Sequence, residues 1–182
     1  MSILLQASKV LNESLGHFIY HLVLLLAVQA AMGMAWGEWK RSRREWSRRL
    51  LIATAGLLLV RVSYFIAALF TQTRWMIPET LLPPLEQFVN TASIALLGWA
   101  FMPPPKRGKR TWDLVFGGNL LVAVGLCAVF TVTWSRAWIA DPTLDYNTFW
   151  QSTVWAAWQM ALIFLAILGM TRNQGEGWGT MI

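Results

Sequence analysis

The sequence has 182 residues, 56% of them apolar and only 13% charged, and its mean hydropathy is +0.46. Soluble domains sit nearer about 45–50% apolar with about a quarter charged, so this composition excludes a disordered chain and argues against a soluble globular enzyme. Fifteen Lys and Arg against nine Asp and Glu give a net charge of +6, and the single cysteine, Cys127, excludes an internal disulfide framework or a four-cysteine metal centre.

In chain order, residues 1–16 carry Ile3, Leu4, Val10, Leu11 and Leu15 and suit a short helix lying on a membrane surface. A cleaved signal peptide is the competing reading of the start. It fits poorly, because only Lys9 precedes an apolar stretch too long for a signal core. Five stretches then reach the roughly 20 apolar residues that a bilayer-spanning helix needs. They are His17–Trp36, Leu50–Thr71, Pro83–Met102, Leu114–Trp134 and Trp150–Met170. The Pro83–Pro84 pair is expected in the first turn of the third, where a missing N–H is harmless. The expected fold is therefore all-α: one polytopic bundle of five transmembrane helices occupying residues 1–182.

Loop charge sets the expected orientation. Lys40, Arg41, Arg43, Arg44, Arg48 and Arg49 fall in the first loop, Lys106, Arg107, Lys109 and Arg110 in the third, and Arg172 in the tail. The other side has only Lys9, Arg74 and Arg136. Short basic loops stay in the cytoplasm, so the N-terminus is expected outside and the C-terminus inside, in a multi-pass protein of a bacterial cytoplasmic membrane. Tryptophan agrees, since indole prefers the headgroup boundary. Trp36, Trp39, Trp46, Trp99, Trp112 and Trp178 fall toward the inner face, and Trp75, Trp134, Trp138 and Trp150 toward the outer. The basic loops are also expected to attract anionic lipid headgroups, through Lys40, Arg41, Arg43, Arg44, Lys106, Arg107, Lys109 and Arg110. They are too short to offer a nucleic-acid face.

Arg61 is the sharpest feature, because it falls near the middle of the second span. A charge there costs about 2.5–3.5 kcal/mol on insertion scales, so it normally faces the bundle or water with a partner. Glu86 and Asn90, four apart on the third span, are the expected partners. A centre that senses or binds something from outside and a structural pair that fixes helix register both fit. Gln29 and Gln159, near the middle of the first and fifth spans, are expected to make interhelical hydrogen bonds. No acidic residue sits at a span centre, which argues against an ion-coupled transporter.

His17 and His21 share one helix face at the outer end of the first span. Two imidazoles are too few for a closed zinc site; interfacial polar side chains or a pigment or metal ligand remain. Ala27, Ala31 and Ala35, Ala157 and Ala161, and Gly117, Gly118 and Gly125 suit close helix contact. Gly175, Gly177 and Gly179 are expected in a flexible turn. No nucleophile–base pair, HExxH, CxxC or phosphate loop occurs, so no catalytic activity is expected.

Several strings together carry a family resemblance. Gly16-His17-Phe18-Ile19-Tyr20-His21-Leu22 opens the first span and Gly37-Glu38-Trp39 closes it. Arg61 lies in the second, and Leu82-Pro83-Pro84-Leu85-Glu86 leads to Gly98-Trp99-Ala100-Phe101. Tyr146-Asn147 precedes the fifth and Gly177-Trp178-Gly179 follows it. This resembles the N-terminal multi-span membrane region of large bacterial sensor histidine kinases, the kind followed by GAF or PAS domains. The resemblance implies a non-catalytic input or scaffolding module, with further spans after the Gly177-Trp178-Gly179 turn. The chain has no phosphoacceptor-histidine segment or ATP-binding region, so a piece of a longer protein or a stand-alone relative is expected. The alternative is an accessory subunit of a respiratory or photosynthetic complex, with other subunits or a second copy as partners. In that case His17 or His21 would contact a (bacterio)chlorophyll, and a carotenoid is a further candidate cofactor.

Overall fold

The computed structural model describes residues 14–72, 77–101 and 109–173. Among them are five α-helices and no strand: α1 (Ser14–Ser42), α2 (Glu45–Gln72), α3 (Pro78–Phe101), α4 (Lys109–Ala140) and α5 (Trp150–Asn173), with a 3-10 turn at Tyr146–Thr148 before α5. α1 packs on α2 and α2 on α3, while α3 also packs against α4 and α5. α3 is the hub of the bundle.

Four helical segments are long and apolar enough to cross a membrane: Ile19–Ser42, Glu45–Phe70, Asp113–Ala140 and Trp150–Leu168. Large side chains such as Leu26, Leu59, Leu121 and Phe164 point outward from them, and lipid is the solvent that suits such a surface. This is the pattern of a membrane protein. α3 is not among the four, although its 24 residues extend about 36 Å. Its sequence carries Glu79, Glu86, Gln87 and Asn90, and its position among three helices explains how it tolerates them. Thr80, Val89, Thr91, Ala92, Ala95 and Gly98 are buried there against neighbouring helices rather than turned to lipid.

The boundaries differ from the sequence expectation in instructive ways. The basic stretch Gly37–Arg49 is not a loop: only Arg43 and Arg44 leave the helices. Arg43 adopts a left-handed φ of 52°, and its N–H reaches the Trp39 carbonyl at 3.0 Å, closing α1. Its guanidinium lies 4.7 Å from the Trp39 ring centre. Ser47 Oγ donates to the Arg44 carbonyl at 2.7 Å and meets Ser42 Oγ at 3.3 Å, which completes the corner. α3 starts at Pro78 rather than Pro83, so Pro83 and Pro84 lie inside the helix. The earlier start is held by Thr80, whose N–H and hydroxyl both reach the Ile77 carbonyl, at 3.1 and 2.8 Å.

An interior proline supplies no N–H to the carbonyl four residues before it. For Pro83 that carbonyl is Glu79. The Trp134 indole of α4 donates to it at 2.7 Å and so replaces the missing bond. Trp134 is buried edge-on to the rings of Tyr146 and Phe149. Helix α4, the proline-bearing turn of α3 and the turn leading into α5 are thereby tied at the end opposite the arginine corner.

The small-residue expectation is also redistributed. A Cβ on Gly117, Gly118 or Gly125 would meet nothing within 4 Å, and Ala157 and Ala161 are exposed. Ala27 is exposed too, while Ala35 is buried. Tight approaches are at Gly98, where a Cβ would stand 3.3 Å from Ala166 Cβ and 3.3 Å from Phe116 Cε1, and at Gly56, where it would stand 3.2 Å from Leu96 Cδ1. Periodicity identifies small residues on a helix but not which neighbour the tertiary arrangement brings to them.

Candidate functional site, a polar layer across the bundle

The middle of α3 carries two adjacent polar rows. Glu86 and Asn90 form one, Gln87 and Thr91 the next. One helical position is about 100°, so the two rows face different neighbours.

The second row meets α5. Gln159 Nε2 donates to Gln87 Oε1 and to Thr91 Oγ1, each at 3.1 Å, and approaches the Gln87 carbonyl at 3.4 Å. Thr91 in turn donates to that carbonyl at 2.8 Å. The interhelical bond expected of Gln159 is thus present, and its partners, Gln87 and Thr91, are residues the sequence reading passed over. Gln29 does not join them; it is exposed on α1.

The first row meets α2. Tyr64 is buried, and its phenol lies within electrostatic range of both Glu86 and Arg61. Arg61 precedes Tyr64 by three residues on one face of α2. No hydrogen bond or ion pair closes between Arg61 and Glu86 or Asn90 among the described residues, and Arg61 Nε is buried without a hydrogen-bond partner. The expected pairing does not form among the described residues, although the Tyr64 phenol feels both charges. The His21 ring from α1 packs on Tyr64 with centroids 4.6 Å apart. The side chain of His17 lies outside the described residues.

Together His21, Tyr64, Arg61, Glu86, Gln87, Thr91 and Gln159 make a layer reaching from α1 through α2 and α3 to α5. In an apolar medium each polar atom gains from a partner inside the bundle, so such layers fix register. An unclosed arginine adds a charge that can reorganise.

About 18 Å away along α2, at 1.5 Å per residue, a second polar group closes the arginine-rich end. The Arg49 side chain is 3% exposed and meets Asp113 of α4 at 3.2 Å and Glu45 at 3.9 Å. The same Asp113 oxygen accepts the Trp99 indole N–H at 2.7 Å, and the Arg49 guanidinium lies 5.3 Å from the centre of that ring. Arg49 was counted with the loop charges from sequence; burial and three elements around it make it an interhelical clasp. Beside the clasp is an apolar groove of about 220 Å³ between α2, α3 and α4, lined by Ile52, Leu96, Trp99, Asp113, Phe116 and Gly117 among others.

Among the headgroup candidates, Lys40, Arg41, Arg43 and Arg44 are exposed around the α1–α2 corner, with Lys40 5.3 Å from the Trp36 ring centre. Lys106 and Arg107 lie outside the described residues, as do the side chains of Lys109 and Arg110 at the start of α4. The surface helix expected over residues 1–16 falls there apart from the first turn of α1, as does the glycine turn at 175–179. Comparison with protein-family models, with curated proteins and with solved structures finds no match to this chain.

Proposed function

We propose that this chain is a non-catalytic membrane input module that crosses the bilayer five times. Its arginine-rich corner faces the cytoplasm, and the polar layer around Arg61 sets the arrangement of α1, α2 and α3. The observation that carries the reading is a buried guanidinium nitrogen of Arg61 without a hydrogen-bond partner, three residues before the buried Tyr64, whose phenol feels the charges of both Arg61 and Glu86. Two arrangements, open and closed, then differ by one charge-assisted contact inside a low-dielectric layer. α2 runs unbroken from Arg61 to the Arg49 clasp, so a rotation or shift at the layer reaches the cytoplasmic end as a rigid-body movement. The contact of His21 with Tyr64 inside the bundle favours this reading over that of a pigment-contacting accessory subunit.

The test uses the full chain with Cys127→Ser, spin-labelled through Arg41→Cys and Leu114→Cys, in lipid nanodiscs. Arg61→Leu is expected to shift the distance distribution between the labels, and Arg61→Lys to shift it less. If Arg61→Leu folds and leaves the distribution unchanged, the layer does not govern the cytoplasmic end.

A further inference from the structure

Beside the Arg49 clasp runs a mostly apolar groove with one polar end. Its walls are almost entirely apolar: Ile52 from α2, Leu96 from α3, and Phe116 and Leu120 from α4. At about 220 Å³ it is smaller than the roughly 300–1,000 Å³ of drug-sized pockets, and this suits one hydrocarbon chain better than a ring system. Gly117 leaves one side open, since a Cβ there would meet nothing within 4 Å.

The polar end of the groove is Asp113 and Trp99. The Asp113 side chain is 40% exposed, and one of its oxygens accepts both Arg49 and the Trp99 indole. A carboxylate has about four lone-pair sites, so acceptor capacity remains on its open side. Trp99 sits beside it as an indole does at the boundary between hydrocarbon and headgroups. Arg49 is 3% exposed behind Asp113 and does not line the groove. Among the described residues that line the groove, Asp113 is the charged one.

We infer that the groove holds an acyl chain of an aminophospholipid, with the ammonium headgroup donating to Asp113. A headgroup bearing only phosphate and hydroxyls, as in phosphatidylglycerol, would bring its negative charge toward the same carboxylate, with no cation among the described lining residues to answer it. The inference needs a bilayer around the helices but is independent of the Arg61 switch, so either can fail alone.

The experiment reconstitutes the full chain in vesicles of phosphatidylethanolamine and phosphatidylglycerol. A trace of either lipid carries a photoactivatable group in one acyl chain, and mass spectrometry maps the labelled residues. The ethanolamine probe is expected to label the groove segments of α3 and α4 up to about fivefold more than the glycerol probe, the upper range for a half-exposed ion pair. Gly117→Leu fills the groove and should abolish that labelling. Gly125→Leu adds the same side chain at another glycine with open space and should not change it. Asp113→Asn, checked for folding by circular dichroism, should make the two probes equal while labelling persists. Equal labelling of wild type by both probes overturns the headgroup assignment. Labelling that survives Gly117→Leu overturns the site.

Discussion

Pro83 removes one hydrogen bond from α3, and Trp134 of α4 supplies a substitute by donating to the Glu79 carbonyl at 2.7 Å. If this is the physical relation, the two residues are energetically coupled. Trp134→Phe should lose the bond and part of the ring. The lost bond is worth about 1 kcal/mol, within the roughly 0.6–1.7 kcal/mol measured for interhelical hydrogen bonds in membranes. The smaller ring adds about 1–2 kcal/mol through the cavity left among Tyr146 and Phe149. In the Pro83→Ala background the Ala N–H satisfies the Glu79 carbonyl within the helix, so the Trp134→Phe cost should fall by about 1 kcal/mol. The ring term is common to both backgrounds and cancels in the double-mutant cycle. Steric trapping of unfolding in bicelles measures all four proteins on one scale. An identical Trp134→Phe cost in both backgrounds, within about 0.3–0.5 kcal/mol, would refute the substitution of the indole for the missing N–H.

Three further outcomes follow from the geometry. Asp113→Ala takes the 3.2 Å partner from the buried Arg49 charge and should cost about 3–5 kcal/mol, whereas Asp113→Asn, which keeps an acceptor for Trp99, should cost clearly less in the same unfolding assay. Gly98→Leu forces side-chain atoms into Ala166 and Phe116 and should cost about 1–3 kcal/mol, while Gly118→Leu, with open space, should stay within about 0.5 kcal/mol. The Tyr146 phenol, in the turn between α4 and α5, is pushed up to about 12 chiefly by burial. A folded value raised above the ordinary 10.0 means the stability it contributes is complete below pH 10 and lost as pH rises toward 12. Absorbance titration at the phenolate band should show a late ionisation near pH 12 that Tyr146→Phe removes, and Trp emission from the turn should change over the same interval.

Much of the architecture is legible in the sequence because a helix surrounded by lipid must be apolar on most of its faces. Long runs such as Leu50–Thr71 and Leu114–Trp134 therefore announce themselves. Their ends do not: α4 continues to Ala140 and α1 to Ser42, because helices run on past the apolar stretch wherever caps and charges permit. α3 shows the limit from the other side. Its Pro83–Pro84 pair looks like a start, yet Thr80 fixes an earlier one and a tryptophan about fifty residues later repairs the ladder. No local signal records that repair. In the candidate site, Arg61 and Gln159 stand out as polar residues in apolar runs, and Glu86 and Asn90 as a polar pair at helical spacing. Gln87 and Thr91 were hidden because nothing in the order of residues says which row of α3 meets α5. Arg49 was hidden for a different reason. Among five other cations in its stretch only the tertiary contact with Asp113 separates it from them.

Whether the helices lie in a bilayer with the arginine corner inside is read most directly by chemical access in intact cells. With Cys127→Ser as background, a membrane-impermeant maleimide is applied to Arg41→Cys, at the exposed α1–α2 corner, and to Asn147→Cys, in the exposed turn before α5. The proposed path predicts that Asn147→Cys is labelled from outside at once and that Arg41→Cys reacts only after the cells are permeabilised. Immediate labelling of Arg41→Cys with protection of Asn147→Cys would invert the map. Equal access to both in sealed cells would remove the five-pass path altogether.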